Sequence, residues 1–397
     1  MTALDFPVFD ADNHLYETED AFTRHLPAEY SGLIKYVDVA GRTKIAVDGT
    51  ISEYIPNPTF SVVARPGAFA DYFSGNNPAG KSLREMAGEP MRAVEAFRSA
   101  VPRVEMLDEL GLDAALMFPT LASLLEVRFT DDPETTSVLL HAFNEWLHDE
   151  WTFNFHDRIF ATPIVNPCVV ETAVAELDWL LERGARVVLL RPAPVAGHRG
   201  TKSPFLPEFD PFWARVTEAD LVVALHASDS GYQRYVNDWE GSSREHTPFK
   251  QNAFADAVSS GRAINDAITS AVCHGMTSRF PTVKLLSVEN GGSWAIPCLK
   301  ELEKTYRKMP GAFAEHPRDC FLRNLWINPF WEDSIEDLVS LMTPERVLFG
   351  SDYPHPEGMS EPINWAKEIG DLFPADDVRK IMGGNAYELL GVTPPRS

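Results

Sequence analysis

The sequence predicts an α/β protein, and within that class a (β/α)8 TIM barrel with insertions after strand 1 and strand 5. Three observations support this prediction. Short apolar runs alternate with helical stretches eight times, and continuous apolar strands are typical of a parallel sheet buried on both faces. The chain has 397 residues, 44% of them hydrophobic, which suits one large barrel. No glycine-rich phosphate turn follows the first apolar run, as a doubly wound open sheet, the alternative architecture, would require.

The predicted strands are β-rich apolar runs, each ending in polar or turn residues. In chain order they cover residues 6–9, 114–119, 159–165, 185–190, 221–225, 283–288, 324–327 and 346–349. Helical periodicity predicts helices between them at residues 103–110, 137–155, 171–182, 212–218, 263–276 and 299–308. The strand at residues 324–327 has the weakest signal.

Two segments break this alternation, at residues of about 15–100 and 227–262. The first holds Pro-rich and Gly-rich stretches and a predicted hairpin, with strands at residues 43–47 and 52–55 around Asp48-Gly49. Long irregular segments in a compact domain are usually functional. We therefore expect one domain over residues 1–397, in which both insertions serve as a lid over the barrel mouth or as oligomer contacts.

Charge and cysteine content narrow the function classes. The net charge of −23 argues against nucleic acid and anionic membranes as partners. No apolar run approaches the ~20 residues of a membrane span, and no signal peptide is expected, because the N-terminus carries Asp5 and no basic region. The cysteines form no CxxC pair and predict buried thiols in a reducing cytoplasm. They are Cys168, Cys273, Cys298 and Cys320.

Polar side chains follow the predicted strands where a barrel builds its active site. Asp12 and His14 are two residues apart, so on an extended strand both point to one side. The candidate metal ligands are Asp12, His14, His226, Glu289 and Asp352, from strands one, five, six and eight. Each has an ordinary alternative, such as a helix cap or a surface ion pair. Their convergence on one rim is what predicts a metal site.

Several blocks of the sequence together resemble the amidohydrolase superfamily, in the branch that contains aminocarboxymuconate-semialdehyde decarboxylase. The blocks are Asp10-Ala11-Asp12-Asn13-His14, Leu116-Met117-Phe118-Pro119-Thr120, Arg279-Phe280-Pro281, Glu289-Asn290-Gly291-Gly292-Ser293-Trp294, Gly350-Ser351-Asp352-Tyr353-Pro354-His355 and Gly384-Asn385-Ala386. The resemblance implies a (β/α)8 barrel with one or two divalent metals at the rim, and by analogy a homo-oligomer. It matches His14, His226 and Asp352 to family ligands.

Three positions depart from the patterns of the family and change the expected chemistry. Asp12 and Glu289 stand where the decarboxylases have histidines, and Arg191 stands where binuclear relatives have a modified lysine. A carboxylate-rich site suits iron best, with manganese, magnesium or zinc as other possibilities. Three neighbouring carboxylates repel one another unless cations neutralise them. They therefore also favour a centre of high positive charge, such as two metal ions. Candidates for a second metal or for supporting contacts are Glu17, His274 and His355.

Two kinds of reaction remain open from the sequence. The first is metal-dependent hydrolysis or non-oxidative decarboxylation of a small, carboxylate-bearing substrate, with Asp352, Glu289 and His226 as catalytic groups and Arg191 binding the substrate carboxylate. The alternative is a non-haem di-iron monooxygenase that hydroxylates a mostly apolar natural-product intermediate. A binding protein on an inactive barrel is a third, weaker hypothesis. Aromatic residues such as Phe73, Tyr232 and Trp239 are expected to face the mouth.

Overall fold

The computed structural model describes residues 4–248 and 250–395; residues 1–3, 249 and 396–397 of the expected domain lie outside them. The described strands are numbered in chain order. They are β1 Phe9–Leu15, β2 Ile34–Val39, β3 Arg42–Val47, β4 Thr50–Ile51, β5 Val62–Val63, β6 Met91–Arg92, β7 Ala114–Pro119, β8 Ile159–Ala161, β9 Val187–Leu189, β10 Val222–His226, β11 Lys284–Val288 and β12 Leu325–Ile327.

Helices alternate with the later strands. They are α1 Ala70–Phe73, α2 Leu83–Met86, α3 Ala100–Leu110, α4 Leu125–Arg128, α5 Pro133–Trp151, α6 Val170–Glu182, α7 Asp210–Glu218, α8 Gln233–Glu240, α9 Ala253–Ser259, α10 Arg262–Cys273, α11 Met276–Arg279, α12 Ala295–Lys308, α13 Pro317–Asn324, α14 Ile335–Met342, α15 Trp365–Gly370, α16 Ala375–Arg379 and α17 Asn385–Leu390. None of the described helices is long and apolar enough to cross a lipid bilayer.

Seven strands form two parallel sheets. One has the order β1-β7-β8 and the other β12-β11-β10-β9. An isolated parallel bridge between Ile164 and Leu189 joins the end of β8 to β9. Every residue of β1, β7, β8, β9 and β10 is buried, as expected for parallel strands with helices packed over them. The α/β, TIM-barrel-like class is therefore confirmed.

The segment after α14 contacts both β12 and β1. Val347 forms a parallel bridge with Ile327, and Tyr353 forms one with Asn13. The amide of Ala11 donates to the carbonyl of Phe349 at 2.8 Å. The strand predicted at residues 346–349 is thus represented by single bridges, because Pro344–Arg346 is a 3₁₀ turn that shortens the run.

The first strand differs most from its prediction. It begins at Phe9 and continues to Leu15, whereas the sequence pattern placed it at residues 6–9. Its polar residues Asp10, Asp12, Asn13 and His14 are all buried within the strand. A register shift against β7 falls between Asp10 and Asn13. A run of polar residues normally predicts the end of a strand. Here the strand continues through them because buried residues supply their hydrogen bonds.

The residues after β1 carry their own small sheets. Strands β2, β3 and β4 pair antiparallel, and β3 and β4 form a hairpin around Asp48-Gly49, as predicted, except that its second strand is Thr50–Ile51 and not residues 52–55. Strands β5 and β6 form a second, two-stranded sheet. The residues after β10 hold α8 and α9. Both segments thus have regular structure of their own.

The cysteines agree only in part with their prediction. All four are free, but Cys273 is exposed at the end of α10 and Cys168 is half-buried. The expectation of four buried thiols is therefore wrong for these two, since an apolar residue near a helix end can lie on the solvent side.

Candidate metal centre

His14 lies at the middle of a group of acidic and imidazole side chains. Its Nε2 is 3.4 Å from Asp12 Oδ1, 3.3 Å from Glu289 Oε2 and 3.5 Å from Asp352 Oδ1. The Nε2 atom of His226 is 3.3 Å away. The structure therefore brings together all five residues that the strand-end pattern singled out.

His226 is oriented by its own backbone. Its Nδ1 lies 2.7 Å from the carbonyl of Ala227, which can only accept, so Nδ1 carries the proton. This leaves Nε2 to face the group, at 3.1 Å from Glu289 Oε2 and 3.7 Å from Asp12 Oδ1. Such a hydrogen bond fixes the tautomer that a metal-binding imidazole needs.

Glu289 and Asp352 have left-handed backbone conformations. Their φ angles are +54° and +56°. Residues with a Cβ rarely adopt this region, and each instance costs about 1–3 kcal/mol. Glu289 directly follows β11, and Asp352 follows the segment that bridges to β1, so each turns at the end of its strand. Strain of this kind at two ligand positions is typical of a functional site.

Two fully buried residues position the first strand. Asp10 accepts hydrogen bonds from Ser351 Oγ at 2.5 Å and from Asn13 Nδ2 at 2.8 Å. Arg103 donates to the Asn13 side chain at 2.7 Å and to the backbone carbonyl of His14 at 2.6 Å. These contacts hold His14 from two sides, and the sequence pattern pointed to neither residue.

Burial and charge act on the group in opposite directions. Burial alone would lower the pKa of His226, but the negative charges of Glu289 and Asp12 raise it to about 10. Burial alone would raise the pKa of Glu289, but His226 and His14 bring it below its ordinary value. Burial and the charge of Glu289 raise the pKa of Asp352 well above its usual range. Without a metal, protons on the imidazoles balance the carboxylates.

The donor set fits a divalent cation. The five side chains and His355 form two overlapping groups of four, Asp12-His14-His226-Glu289 and His14-Glu289-Asp352-His355, and within each group the ligand atoms lie within 4.8 Å of one another. Neighbouring ligands of an ion with bonds of about 2.0–2.2 Å are separated by about 3.0–3.6 Å, close to the contacts found here. The buried Oδ1 of Asp12 has no hydrogen-bond partner, which a bound cation would supply.

A cavity of about 260 Å³ opens beside these ligands. Asp12, Glu289 and Asp352 line its floor. Among the described residues that line it there is no lysine or arginine, and two more carboxylates, Glu332 and Glu357, face it. The Oε2 atom of Glu357 is buried without a hydrogen-bond partner. Among the described residues that line the cavity, the charged side chains are therefore all acidic, with His246 as the one imidazole.

The comparison with known proteins assigns the family. A family model described as amidohydrolase, Amidohydro_2, matches residues 93–392. The chain belongs to the amidohydrolase family. The resemblance inferred from the sequence blocks is confirmed, as is the expectation of a metal-dependent enzyme of the amidohydrolase fold.

Solved and curated relatives extend this result. An amidohydrolase from Mycobacterium avium subsp. paratuberculosis K-10 is 35% identical, with a TM-score of 0.93 over 98% of this chain and 99% of that one. A manganese-complexed 5-carboxyvanillate decarboxylase from Novosphingobium aromaticivorans DSM 12444 has a TM-score of 0.61 over 98% of this chain and 97% of that one. At 15% identity it shows the fold alone.

A curated relative covers a shorter region. The 2-amino-3-carboxymuconate-6-semialdehyde decarboxylase of Dictyostelium discoideum is 29% identical over 134 residues, which are 32% of this chain. The match spans 36% of that relative's length, or about a third.

The candidates for a second metal fall in three different environments. His355 belongs to the ligand group, where its Nδ1 is 2.7 Å from Asp352 Oδ1 and its Nε2 is 3.0 Å from Thr120 Oγ1. Glu17 is buried, but its Oε1 accepts from the amides of Leu121 and Ala122. Glu17 therefore caps a turn and is not part of either group of possible ligands in the described chain.

His274 lies outside both groups of possible ligands in the described part of this amidohydrolase. It is exposed at the end of α10, and its Nδ1 contacts Ser270 Oγ at 2.9 Å. The sequence places it in the predicted helix at residues 263–276. The helical register turns the side chain outward to solvent.

The structure also places Arg191 differently from the sequence hypothesis. Arg191 is buried, and its guanidinium donates to the carbonyls of Asp229 and Pro194. Its Nε lies 3.8 Å from Glu126 Oε2. Arg191 does not line the cavity. Its guanidinium instead donates hydrogen bonds to backbone carbonyls of the neighbouring loops and does not face a substrate carboxylate bound in the cavity.

Of the three aromatic side chains expected at the mouth, one lines the cavity and two do not. Phe73 lines the cavity. Tyr232 donates its hydroxyl to Asp266 at 2.6 Å, and the Trp239 side chain is largely exposed. Tyr54 and His246, which the sequence pattern did not indicate, line the cavity in their place.

Proposed function

We propose that this amidohydrolase is a metal-dependent, non-oxidative decarboxylase of a small organic acid. The observation that carries the proposal is the packing of three carboxylates and the His226 imidazole around His14 Nε2. The three carboxylates also line a cavity of about 260 Å³. A cavity of this size holds a single small molecule with few rotatable bonds.

The relatives support decarboxylation over the other reactions of the family. The curated relative and several structural neighbours are decarboxylases of carboxymuconate-semialdehyde, dihydroxybenzoate and carboxyvanillate. None of the relatives named here is described as an oxygenase. The di-iron monooxygenase alternative therefore rests on the carboxylate-rich ligand set alone, and metal analysis decides it.

The proposed metal ligands are Asp12, His14, His226, Glu289 and Asp352. A divalent cation held there would supply Lewis acidity at a substrate oxygen. Manganese suits the mixed carboxylate and imidazole set and is present in a structural neighbour. With no lysine or arginine among the described lining residues, a substrate carboxylate in the cavity would need a cation held by the ligand group as its anchor.

The residues around the ligands keep Asp352 in one orientation. Thr120 donates its hydroxyl to the carbonyl of Leu15 at 2.8 Å, so it accepts a hydrogen bond from His355 Nε2. Neutral His355 then has no proton on Nδ1, so in the metal-free protein this contact is donated by the carboxyl of Asp352, whose pKa burial and the charge of Glu289 raise well above its usual range. This chain of contacts holds the carboxylate toward the cavity, where we propose that it acts as ligand and as base.

We also propose that the eight strand segments close into a complete barrel. The bridges of Ile164 with Leu189, Ile327 with Val347, and Asn13 with Tyr353 support closure. The insertions at residues of about 15–100 and 227–262 would then form a lid over the mouth. Tyr54 and Phe73 from the first and His246 from the second line the cavity, which supports this role.

The test is turnover of a panel of small carboxylic acids by protein loaded with manganese, zinc or iron. We expect CO2 release from at least one aromatic or unsaturated acid, with and without oxygen. Amide or ester hydrolysis without CO2 release would contradict decarboxylation. Oxygen-dependent hydroxylation by iron-loaded protein would establish the monooxygenase instead.

A further inference from the structure

We propose that His246 is a catalytic residue that delivers the proton to the carbon from which CO2 departs. This inference rests on the proposed decarboxylation and assigns a group that the ligand set does not provide. His246 lies outside the strand ends, in the segment between β10 and β11.

The position of His246 gives it access to a substrate. It lines the same cavity as Glu289 and Asp352 and is half-buried. Its ring lies against that of Tyr54, with centroids 5.9 Å apart and planes at 50°. Within the described residues, no side-chain hydrogen bond or ion pair engages either of its ring nitrogens. Either nitrogen can therefore exchange a proton with a bound molecule.

The other imidazoles near the cavity are already engaged. His14 and His226 have their Nε2 atoms inside the ligand group. His355 is held between Asp352 and Thr120. In the described part of the site, His246 is the imidazole that is left for proton transfer, and an imidazole gives and accepts protons near neutral pH.

Glu357 is the competing candidate, since it also lines the cavity. Its Oε2 is buried without a hydrogen-bond partner, and its Oε1 lies 4.0 Å from His355 Nδ1, beside the ligand group. The variants below distinguish the two candidates.

Glu245, the residue before His246, fixes this segment to two other parts of the chain. Its Oε1 accepts from Ser52 Oγ at 2.7 Å and pairs with Arg128, and its Oε2 accepts from the amide of Glu53 at 2.7 Å. Ser52 and Glu53 directly precede Tyr54. The same carboxylate thus places both members of the His246–Tyr54 ring contact, and we assign Glu245 as a positioning residue.

The proposed step balances without any further reagent. The protonated imidazole of His246 gives its proton to the carbon that bears the carboxylate. The bond between that carbon and the carboxylate carbon breaks, its electron pair stays on the protonated carbon, and CO2 leaves. His246 is then neutral and takes a proton from water. The net reaction is R–CO2⁻ plus H⁺ to R–H plus CO2.

The experiment compares His246→Gln and His246→Gly with wild type on an acid that the wild type decarboxylates. We expect kcat to fall by about 10²–10⁴-fold, the usual contribution of general acid catalysis, with little change in KM. Added imidazole should restore part of the turnover to His246→Gly. In D2O, wild type should exchange the new C–H hydrogen of the product, and both variants should lose this exchange.

The control is His198→Gln, because His198 is exposed, paired with Glu134 and outside the cavity. Wild-type rates and product exchange in His246→Gln would overturn the assignment while leaving decarboxylation in place. Loss of exchange in Glu357→Gln but not in the His246 variants would assign the proton to Glu357. If wild type releases CO2 from no acid of the panel, the proposed function itself fails.

Discussion

Asp10 and Ser351 are 341 positions apart in the sequence and share two hydrogen bonds, from Ser351 Oγ to Asp10 Oδ2 at 2.5 Å and from Ser351 N to Asp10 Oδ1 at 2.9 Å. The next residue after Ser351 is Asp352, and Asp12 is two residues after Asp10. The contact therefore fixes the spacing between two of the proposed metal ligands, although neither Asp10 nor Ser351 touches the ion site in the described groups.

Asp10→Asn should weaken both folding and metal binding. The amide NH2 would face donors, leaving a buried hydrogen bond unmade at a cost of about 1–3 kcal/mol. Metal affinity should fall by about 10–100-fold, as for other residues that orient ligands. Denaturant unfolding and metal titration measure the two effects. Asp5→Asn, at a surface ion pair with Arg379, is the control; equal effects in both variants would contradict the role of Asp10.

Metal binding should release protons and become tighter as the pH rises. Because the pKa of His226 is raised to about 10 in the metal-free protein, this imidazole is protonated at pH 7. It must lose that proton before Nε2 can bind a cation, so affinity increases with pH up to about that value. Calorimetric titration in buffers of different ionisation enthalpy counts the released protons. A pH-independent affinity between pH 6 and 9 would show that His226 is not a ligand.

Asp352→Asn should reduce turnover by on the order of 10²-fold or more while the protein remains folded. The carboxylate is both a proposed ligand and the proposed base, and the amide is a poor substitute for either. His274→Gln is the matched control, because His274 is exposed and bonded to Ser270. Metal content and turnover are measured together. Two irons per chain with oxygen-dependent activity in wild type would support the monooxygenase alternative.

Glu245→Ala should open the wall of the cavity. It removes the acceptor for Ser52 and Glu53 and the ion pair with Arg128. We expect faster proteolysis between residues 241 and 252 and a higher KM, with the metal content unchanged. Glu245→Gln keeps the acceptor oxygens in part and should show a smaller effect. Glu208→Ala, which breaks an exposed pair with Lys202, is the control.

Glu17→Gln should flatten the dependence of stability on pH in the metal-free protein. Burial raises the pKa of Glu17 from 4.5 to about 7, so the folded state binds this proton more tightly than the unfolded chain does. The stability that this bound proton contributes to the folded state is fully present below about pH 4.5 and is lost as the pH rises through about 7. The variant should therefore gain up to about 3 kcal/mol relative to wild type between pH 5 and 8. Chemical unfolding measures this difference, and parallel curves would contradict it.

Local patterns were sufficient for the strand ends of this protein. Buried parallel strands read as apolar runs, and residues such as His226 and Glu289 stand directly at or after such runs. Because parallel strands place these ends on one edge, the five candidate ligands could be grouped without knowing any contact. The same reasoning failed for β1, where buried partners such as Ser351 and Arg103 allow polar residues inside the strand.

Long-range contacts decided what the sequence could not predict. Arg191 follows an apolar run and seemed suited to a carboxylate, but its guanidinium bonds to the carbonyl of Asp229, in the loop after the next strand, as well as to that of Pro194 nearby. His246 and Glu245 lie in an irregular segment, and their neighbours Ser52 and Tyr54 are more than 190 residues away. No local rule links such residues, because only the folded chain brings them together.

The contacts of Glu245 have a consequence for how the substrate selectivity of this enzyme can change. The strands carry the proposed metal ligands, whereas two surface segments, joined through the Glu245 carboxylate, shape the cavity beside them. Exchanging both segments together would change the substrate selectivity and leave the proposed metal ligands unchanged. Exchange of one alone would leave Glu245 or its acceptors unmatched, so the two segments are expected to be inherited and engineered together.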